Sequence, residues 1–461
     1  MTTTKNDYQS GIAMQGRLPR RPGILKGGHA RRTLIELRSS FWFLPALIGI
    51  GNIGLALGLI EMDRQLGKDL MQWSPRWFDN DPEGARSILQ TIAGSMATVA
   101  GVVFSITIVA LTLASTQYSP RVLRNFMRDR FNQAMLGIFI GVFIYCLLVL
   151  RTIRTDNDAF VPSSALLVAV LLAILASGTF IFFIHHIAAS IQASELTKAI
   201  TKETIVALDE AFSPQGYAKQ EWEKGLDPDL IWQPLPAQDV GYIQTVDLQA
   251  LVNFACTYDT IVRMDCGVGD FVAPGWAMAS IASVQPVSKE MVEEINGIYA
   301  IDGYRTIDQD AAFGFRQLVD VGLKALSPGI NDTTTAVTCI EHLTALLSHC
   351  APHPERAPWQ MREGVLRLIE KPHSFAYLVA LAFEQIRENA KGNTEILLRL
   401  MAAIERVSGW IRDPDRFLPL RTQLQAIAET IESESRTAHE GRRLQEKLAA
   451  VCAVLNTGGG H

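Results

Sequence analysis

The stretch SILQTIAGSMATVAGVVFSITIVALTLAST, residues 87–116, decides the fold class of this chain. No Asp, Glu, Lys or Arg occurs between Ser87 and Pro120. About 20 consecutive apolar residues are enough to cross the roughly 30 Å hydrocarbon core of a bilayer. The stretch therefore predicts a membrane-spanning helix.

Three further apolar runs have the length of a span, at about 41–60, 133–150 and 162–184. One such run is compatible with a buried helix of a water-soluble protein, but four within 150 residues favour a membrane domain over 34–190. Charged residues concentrate after this region. The sequence thus predicts a polytopic α-helical membrane protein with four transmembrane helices and a large C-terminal domain.

Loop charges predict the orientation. Residues 1–33, interpreted as a disordered tail, and the loop at 121–130 are rich in arginine, whereas the other two loops mix both signs. Because positively charged loops stay inside, both termini are expected in the cytoplasm. The net charge of −5 and the lack of a basic face argue against a nucleic-acid partner.

The C-terminal domain divides by its sequence patterns. Residues 187–239 predict a stalk, formed by a helix continuing from the fourth span to Phe212, and then a linker. A small α/β domain follows over 240–305, and a helical cytoplasmic domain over 306–456. The turn sequence GDFVAPG at 269–275 resembles those of barrel-sandwich domains such as lipoyl carriers, which suggests a β-barrel-like part. No Lys sits at a hairpin tip, so no swinging-arm cofactor is inferred. The predicted helices of the last domain are 307–326, 333–349, 356–370, 374–390, 394–411, 415–434 and 437–455.

Small and polar residues of the second span recur at three- and four-residue steps, which places them on one stripe of the helix. Val102 and Val109 interrupt the stripe with apolar bulk. Two interpretations stay open: close helix packing, which small residues permit, and an oligomeric pore with a hydrophobic constriction. The stripe consists of Thr91, Gly94, Ser95, Thr98, Gly101, Val102, Ser105, Val109, Thr112 and Thr116.

Two segments carry a family resemblance: RTIDQDAAFGFRQLVDVGLKALSPGINDTTTAVTCIE at 305–341 and QYSPRVLRNFMRDR at 117–130. Both resemble the bacterial membrane protein family known as domain of unknown function 2254. The resemblance implies four spans, a cytoplasmic domain and a bacterial inner (plasma) membrane location. It implies no chemistry, because the activity of the family is unknown.

The 305–341 segment holds the second candidate site. Thr306 is predicted to cap a helix that ends before a turn at Ser327, after which Asn331 or Asp332 caps the next helix. Arg305, Asp310, Asn331 and Asp332 are candidates to converge on a small ion or polar ligand. The alternative is a structural corner in which these polar groups satisfy helix ends.

Three classes of function compete. The first is an oligomeric channel or transport protein with a cytoplasmic regulatory domain. The second is a membrane-anchored sensor or scaffold that binds a ligand or protein. The third is an enzyme using Asp310, Asn331 and Asp332. No phosphate-binding loop, zinc-protease, nucleophile-elbow or kinase signature occurs, so no catalytic residue, metal or cofactor is assigned. The expected partners are the lipid bilayer and further copies of the chain.

Overall fold

The computed structural model describes residues 42–73, 81–118, 129–154, 160–190, 192–212, 230–284, 286–390, 392–433 and 437–458. The predicted tail over 1–33 lies outside the described residues. So do the arginines of 121–128 and most of the predicted linker, 213–229.

Four helices are long and apolar enough to cross a membrane, and each contains most or all of one of the four predicted spans. They are α1 (Phe43–Trp73), α2 (Pro82–Gln117), α3 (Arg130–Thr152) and α4 (Ser163–Ser190). At 1.5 Å per residue α2 is about 54 Å long, well beyond a 30 Å hydrocarbon core.

Helix α3 is the centre of this bundle and packs against α1, α2 and α4. Two of its glycines bring the α1 and α3 backbones close together. A Cβ added at Gly137 would lie 2.8 Å from the Cα of Pro45, and one added at Gly141 would lie 2.5 Å from Nδ2 of Asn52. Small residues at a helix interface allow such close packing in a membrane.

Polar contacts join the helices at both ends of the bundle. At one end, the buried Asp63 of α1 accepts hydrogen bonds from the backbone N–H of Ala165, at 3.1 Å, and from the hydroxyl of Ser164. At the other end, Asp129 and His186 are paired at 2.6 Å. Carboxylates at helix N-termini satisfy backbone N–H groups that lack partners within the helix.

The predicted continuous stalk is wrong. Gln192 has an extended backbone (φ −72°, ψ 135°) and a separate helix, α5 (Ala193–Ala211), follows it. The apolar face of α5, with Leu196, Ile200 and Leu208, is buried in the core of the helical part. An amphipathic helix gains more from burying that face than from continuing into solvent, so α5 belongs to the C-terminal core.

Six of the seven helices predicted after residue 306 are confirmed: α8 (Ala311–Leu326), α9 (Thr333–Cys350), α10 (Phe375–Asn389), α11 (Thr394–Ser408), α12 (Phe417–Ser433) and α13 (Ala438–Gly458). Two helices of the α/β region precede these six in the chain: α6 (Leu248–Thr257) and α7 (Lys289–Ile298). The predicted helix 356–370 is instead a β-hairpin. Its turn residues Glu363 (φ 53°) and Gly364 (φ 77°) both have positive φ, as a tight hairpin turn requires.

Eight strands form two open sheets among the described residues, so the predicted barrel is wrong. The five-stranded sheet has the order β1-β5-β3-β8-β7 and the three-stranded sheet β4-β2-β6. Only β3 and β8 pair in parallel. The α/β region therefore begins with β1, inside the predicted linker. Its five-stranded sheet also includes the β7–β8 hairpin, which lies within the predicted helical region. The strands are β1 (Trp232–Pro236), β2 (Gly241–Val246), β3 (Val262–Met264), β4 (Phe271–Val272), β5 (Ala277–Ala282), β6 (Tyr299–Asp302), β7 (Trp359–Arg362) and β8 (Val365–Ile369).

Candidate functional site

The stripe predicted on the second span lies on the outer surface of the bundle. Every one of its ten residues is exposed, whereas the opposite face of α2 is buried against the other membrane helices. Close packing within one chain therefore does not account for the stripe. The buried face consists of Ala85, Leu89, Ala93, Met96, Ala100, Val103, Ala110 and Ala114.

The four threonine hydroxyls of the stripe donate to backbone carbonyls of α2 itself. Thr91 donates to the carbonyl of Ser87 at 2.8 Å, and Thr98 to that of Gly94 at 3.0 Å. This bonding to the preceding turn lowers the polarity of the surface. Among the described residues, no heavy atom outside the local backbone of α2 lies within 4 Å of a Cβ added at Gly94 or Gly101, so this surface has room for another helix.

Helix α4 exposes a different kind of surface. Many of its exposed side chains are large and apolar, the type that suits lipid tails. They include Leu171, Ile174, Leu175, Ile181, Phe182 and Ile184. On the stripe of α2, by contrast, eight of the ten exposed residues are Gly, Ser or Thr.

The corner between α8 and α9 is a helix cap. Asp332, not Asn331, caps α9: its carboxylate accepts from the backbone N–H of Thr335 at 3.0 Å and from the Thr335 hydroxyl at 2.6 Å. These hydrogen bonds lower the pKa of Asp332. Asn331 has φ +48°, and its N–H donates to the carbonyl of Ser327 at 2.9 Å. The polar groups of the corner therefore satisfy backbone ends.

Arg305 and Asp310 form a buried pair at the start of α8. The carboxylate of Asp310 is 2.7 Å from Nη2 of Arg305 and accepts from the N–H of Phe313 at 3.0 Å. The predicted cap at Thr306 is therefore wrong, because Asp310 is the N-cap. Burial raises the pKa of Asp310, and the Arg305 guanidinium opposes that rise.

A glycine turn of the α/β region packs against the Arg305–Asp310 pair. Gly269 has φ +90°, and a Cβ added there would lie 2.4 Å from Oδ2 of Asp310. A residue without a side chain is therefore required at this contact. Through this contact the α/β region packs against Arg305 and Asp310, at the start of the 305–341 segment.

The predicted convergence of Arg305, Asp310, Asn331 and Asp332 does not occur. Asp310 precedes α8 and Asp332 follows it, and the 16 residues of α8 separate them by about 24 Å. The four residues thus belong to two different contacts, one at each end of α8.

Tyr118 is a link that the sequence patterns did not indicate. It follows the last residue of α2 and packs, half-buried, against the core of the helical part. Burial raises the pKa of its hydroxyl, and the negative charge of nearby Asp332 adds to the effect. The membrane helix that carries the stripe is therefore in contact, through Tyr118, with the core of the helical part.

No group of three or more His, Cys, Asp or Glu side chains is arranged to hold a metal ion in the part of the chain that the structure describes. The site features are thus helix caps, one buried ion pair and an exposed face of α2.

Together these features define a four-span membrane protein with a C-terminal part of helices and small sheets. The profile of the DUF2254 family, described as "Predicted membrane protein", matches residues 38–406, and the chain belongs to this family. The uncharacterized proteins Rv1290c of Mycobacterium tuberculosis and Mb1321c of Mycobacterium bovis are each 30% identical to it over 418 residues. The alignments cover 88% of this chain and 78% of each relative. No solved structure matches the chain.

Proposed function

We propose that this protein is an oligomeric channel or transport protein of the bacterial inner membrane, with both termini and a regulatory C-terminal part on the cytoplasmic side. The observation that carries the proposal is the outward face of α2. Eight of its ten residues are Gly, Ser or Thr, its threonine hydroxyls are bonded within α2, and all ten side-chain positions are exposed among the described residues.

An ion pathway in this protein would have to form between several chains and not within one bundle. Among the described residues, the interior of the four-helix bundle is filled by a continuous apolar core, with Phe139, Tyr145 and Phe183 fully buried. Protein interiors packed in this way leave no passage for an ion. Assembly of several copies around α2 would bring their stripes together on a common axis.

Two valines would give that axis an apolar lining. Val102 is 42% exposed and Val109 is 55% exposed, and both lie among the small residues of the stripe. Rings of apolar side chains close a pore by expelling water from it. In an assembly without a pore, the same small residues bring neighbouring helices into close contact.

The C-terminal part is positioned to act on α2. Tyr118 links the end of this helix to the core that contains α8 and α9. A change in the helical part would therefore be transmitted to the stripe through α2 itself.

Cysteine cross-linking tests the arrangement. In a background without the exposed Cys256 and Cys452, Ser105→Cys should give dimers and higher oligomers with a short bifunctional thiol reagent in membranes. Ile174→Cys, on the exposed apolar face of α4, is the matched control and should stay monomeric. A monomer for both variants, or oligomers only from α4, would contradict the proposal.

A second candidate function is a membrane-anchored sensor. A cavity of about 810 Å³ between the α/β region and the helical part favours it. An enzyme that uses Asp310 and Asp332 together has no support, because these residues lie at opposite ends of α8.

A further inference from the structure

The C-terminal part contains a cleft of about 810 Å³. It lies between the end of α5, the β2–α6 turn, the α7–β6 turn and the segment from β8 to α10. Small-molecule sites commonly have volumes of 300–1,000 Å³ and lie between domains. The cleft therefore has the size and position of a ligand site.

Tyr299 supplies a buried polar group without a partner. Tyr299 is one of the residues that line the cleft, the residue is 2% exposed, and its hydroxyl has no hydrogen-bond partner among the described residues. Buried hydroxyls are nearly always hydrogen-bonded, because an unpaired one is costly. Burial also raises the pKa of Tyr299, so the hydroxyl remains a proton donor at neutral pH.

His373 supplies a second such group. Its Nε2 atom is buried, lacks a hydrogen bond among the described residues and lies 3.7 Å from Oδ1 of Asp310. The ring is held by stacking on Tyr377, with centroids 4.8 Å apart. Its nitrogen is thus fixed in position beside the cleft.

Charges of both signs line the same space. Glu370 accepts hydrogen bonds through Oε1 from Gln360, at 2.6 Å, and from Arg356, at 3.4 Å. Glu210 and Asp247 add negative charge from α5 and the β2–α6 turn. The weak Arg356–Glu370 pair leaves guanidinium N–H groups free to bind an anionic group, since an Arg carries five donors.

We propose that this cleft binds a small zwitterionic molecule of the amino-acid class. Its ammonium group would pair with the acidic wall that includes Glu370, its carboxylate with Arg356, and its polar atoms with the Tyr299 hydroxyl and His373 Nε2. A zwitterion offers an acceptor for the Arg356 N–H groups and a cation for the carboxylates of Glu210, Asp247 and Glu370. The apolar remainder of the lining, including Val246, Leu248 and Met264, would contact the side chain of the ligand. The proposal is independent of whether α2 forms a pore.

The test is thermal unfolding of the purified full-length protein in detergent, with each of the twenty L-amino acids added in turn at millimolar concentration. At least one should raise the Tm by roughly 2–4 °C, because a ligand that binds only the folded state stabilises it. Tyr299→Phe should abolish that rise. Without any amino acid, the variant should unfold at the same or a higher temperature, since it removes an unpaired hydroxyl.

Tyr258→Phe is the matched control. The Tyr258 hydroxyl is bonded to Glu294 at 2.9 Å and does not line the cleft, so this variant should keep the full shift. A shift that survives in Tyr299→Phe would place the ligand elsewhere and overturn the proposal. The absence of a shift with all twenty amino acids would overturn it as well.

Discussion

Tyr118, at the end of membrane helix α2, lies within electrostatic reach of Asp332, the cap of α9. The two residues belong to the two sequence segments that carry the family resemblance. The two residues are more than 200 positions apart in sequence, and the fold brings them near each other where the membrane bundle meets the helical part. The packing of Tyr118 connects the end of α2 to the core of the helical part.

Removing the ring at this contact should loosen the connection. Tyr118→Ala should lower the free energy of unfolding by about 1–2 kcal/mol, because a half-buried aromatic surface is lost. Hydrogen exchange should increase at the end of α2 and at the start of α9. Tyr118→Phe, which keeps the ring, should stay close to wild type in both measurements. Equal exchange in Tyr118→Ala and wild type would show that the contact does not hold α2.

The α9 cap has a predictable pH dependence. The folded-state pKa of Asp332 is lowered, so its contribution to stability is present above the unfolded pKa and is lost as the pH falls through the folded pKa. Asp332→Ala should cost about 1 kcal/mol at pH 7. Asp332→Asn keeps a capping side chain and should lose less at pH 7, while losing this acid dependence. Unfolding midpoints measured from pH 3 to 7 distinguish the variants; identical profiles for all three proteins would contradict the assignment of the cap.

The contribution of Glu370 to stability should have the opposite pH dependence. Burial raises its folded-state pKa, so its protonated form is favoured in the fold and the associated stability is lost as the pH rises through that pKa. Glu370→Gln should therefore raise the unfolding midpoint at pH 7 and leave it unchanged or lower at acidic pH. Glu363→Gln, at the exposed turn of the same hairpin, should change neither. A lower midpoint for Glu370→Gln at pH 7 would show that its pairing with Arg356 outweighs the cost of burial.

Two kinds of glycine in the membrane helices should respond differently to added bulk. Gly137→Ala should destabilise the bundle by about 1–3 kcal/mol, because its Cβ would meet the backbone of Pro45 at 2.8 Å. Gly101→Leu adds more bulk but meets nothing in the chain, so the unfolding midpoint of the monomer in detergent should be unchanged. Its expected effect is a smaller oligomer by light scattering. An unchanged oligomer in Gly101→Leu would argue against contacts through the stripe.

Ion flux into reconstituted vesicles tests the constriction. Val109→Ser should increase the leak several-fold, because one hydroxyl in place of two methyl groups widens a narrow pore and favours water in it. The control is Ile174→Ser, which makes a similar change on the exposed face of α4 and should leave the flux at the wild-type level. An equal flux in both variants would favour helix packing over a pore.

The local patterns of the sequence predicted much of the fold. Uninterrupted apolar runs are sufficient to identify the four spans, since a bilayer imposes a minimum length on them. Gly392 and Pro414 correctly marked helix boundaries in the C-terminal part. The hairpin at 356–370 was missed, although Glu363-Gly364 between two short runs is a tight-turn signal.

The features that depend on distant contacts were not predictable in this way. The separation of Asp310 from Asp332 depends on where α8 begins and ends, and the Gly269 contact depends on how two regions pack. Tyr118 carries no periodic signal, because its role comes from where the end of α2 lies relative to Asp332. The cleft around Tyr299 likewise draws its walls from residues spread between 207 and 378.

The parallel pairing of β3 with β8 also has a consequence for biosynthesis. Val262 pairs with Leu368, about 100 residues further along the chain. A nascent chain emerging from the ribosome cannot complete its five-stranded sheet until that later hairpin has been made, by which time α8 and α9 have already emerged. Truncation between the two regions would therefore leave an unpaired strand edge, which is a site of aggregation. The α/β and helical regions are expected to mature as one cooperative unit rather than in succession.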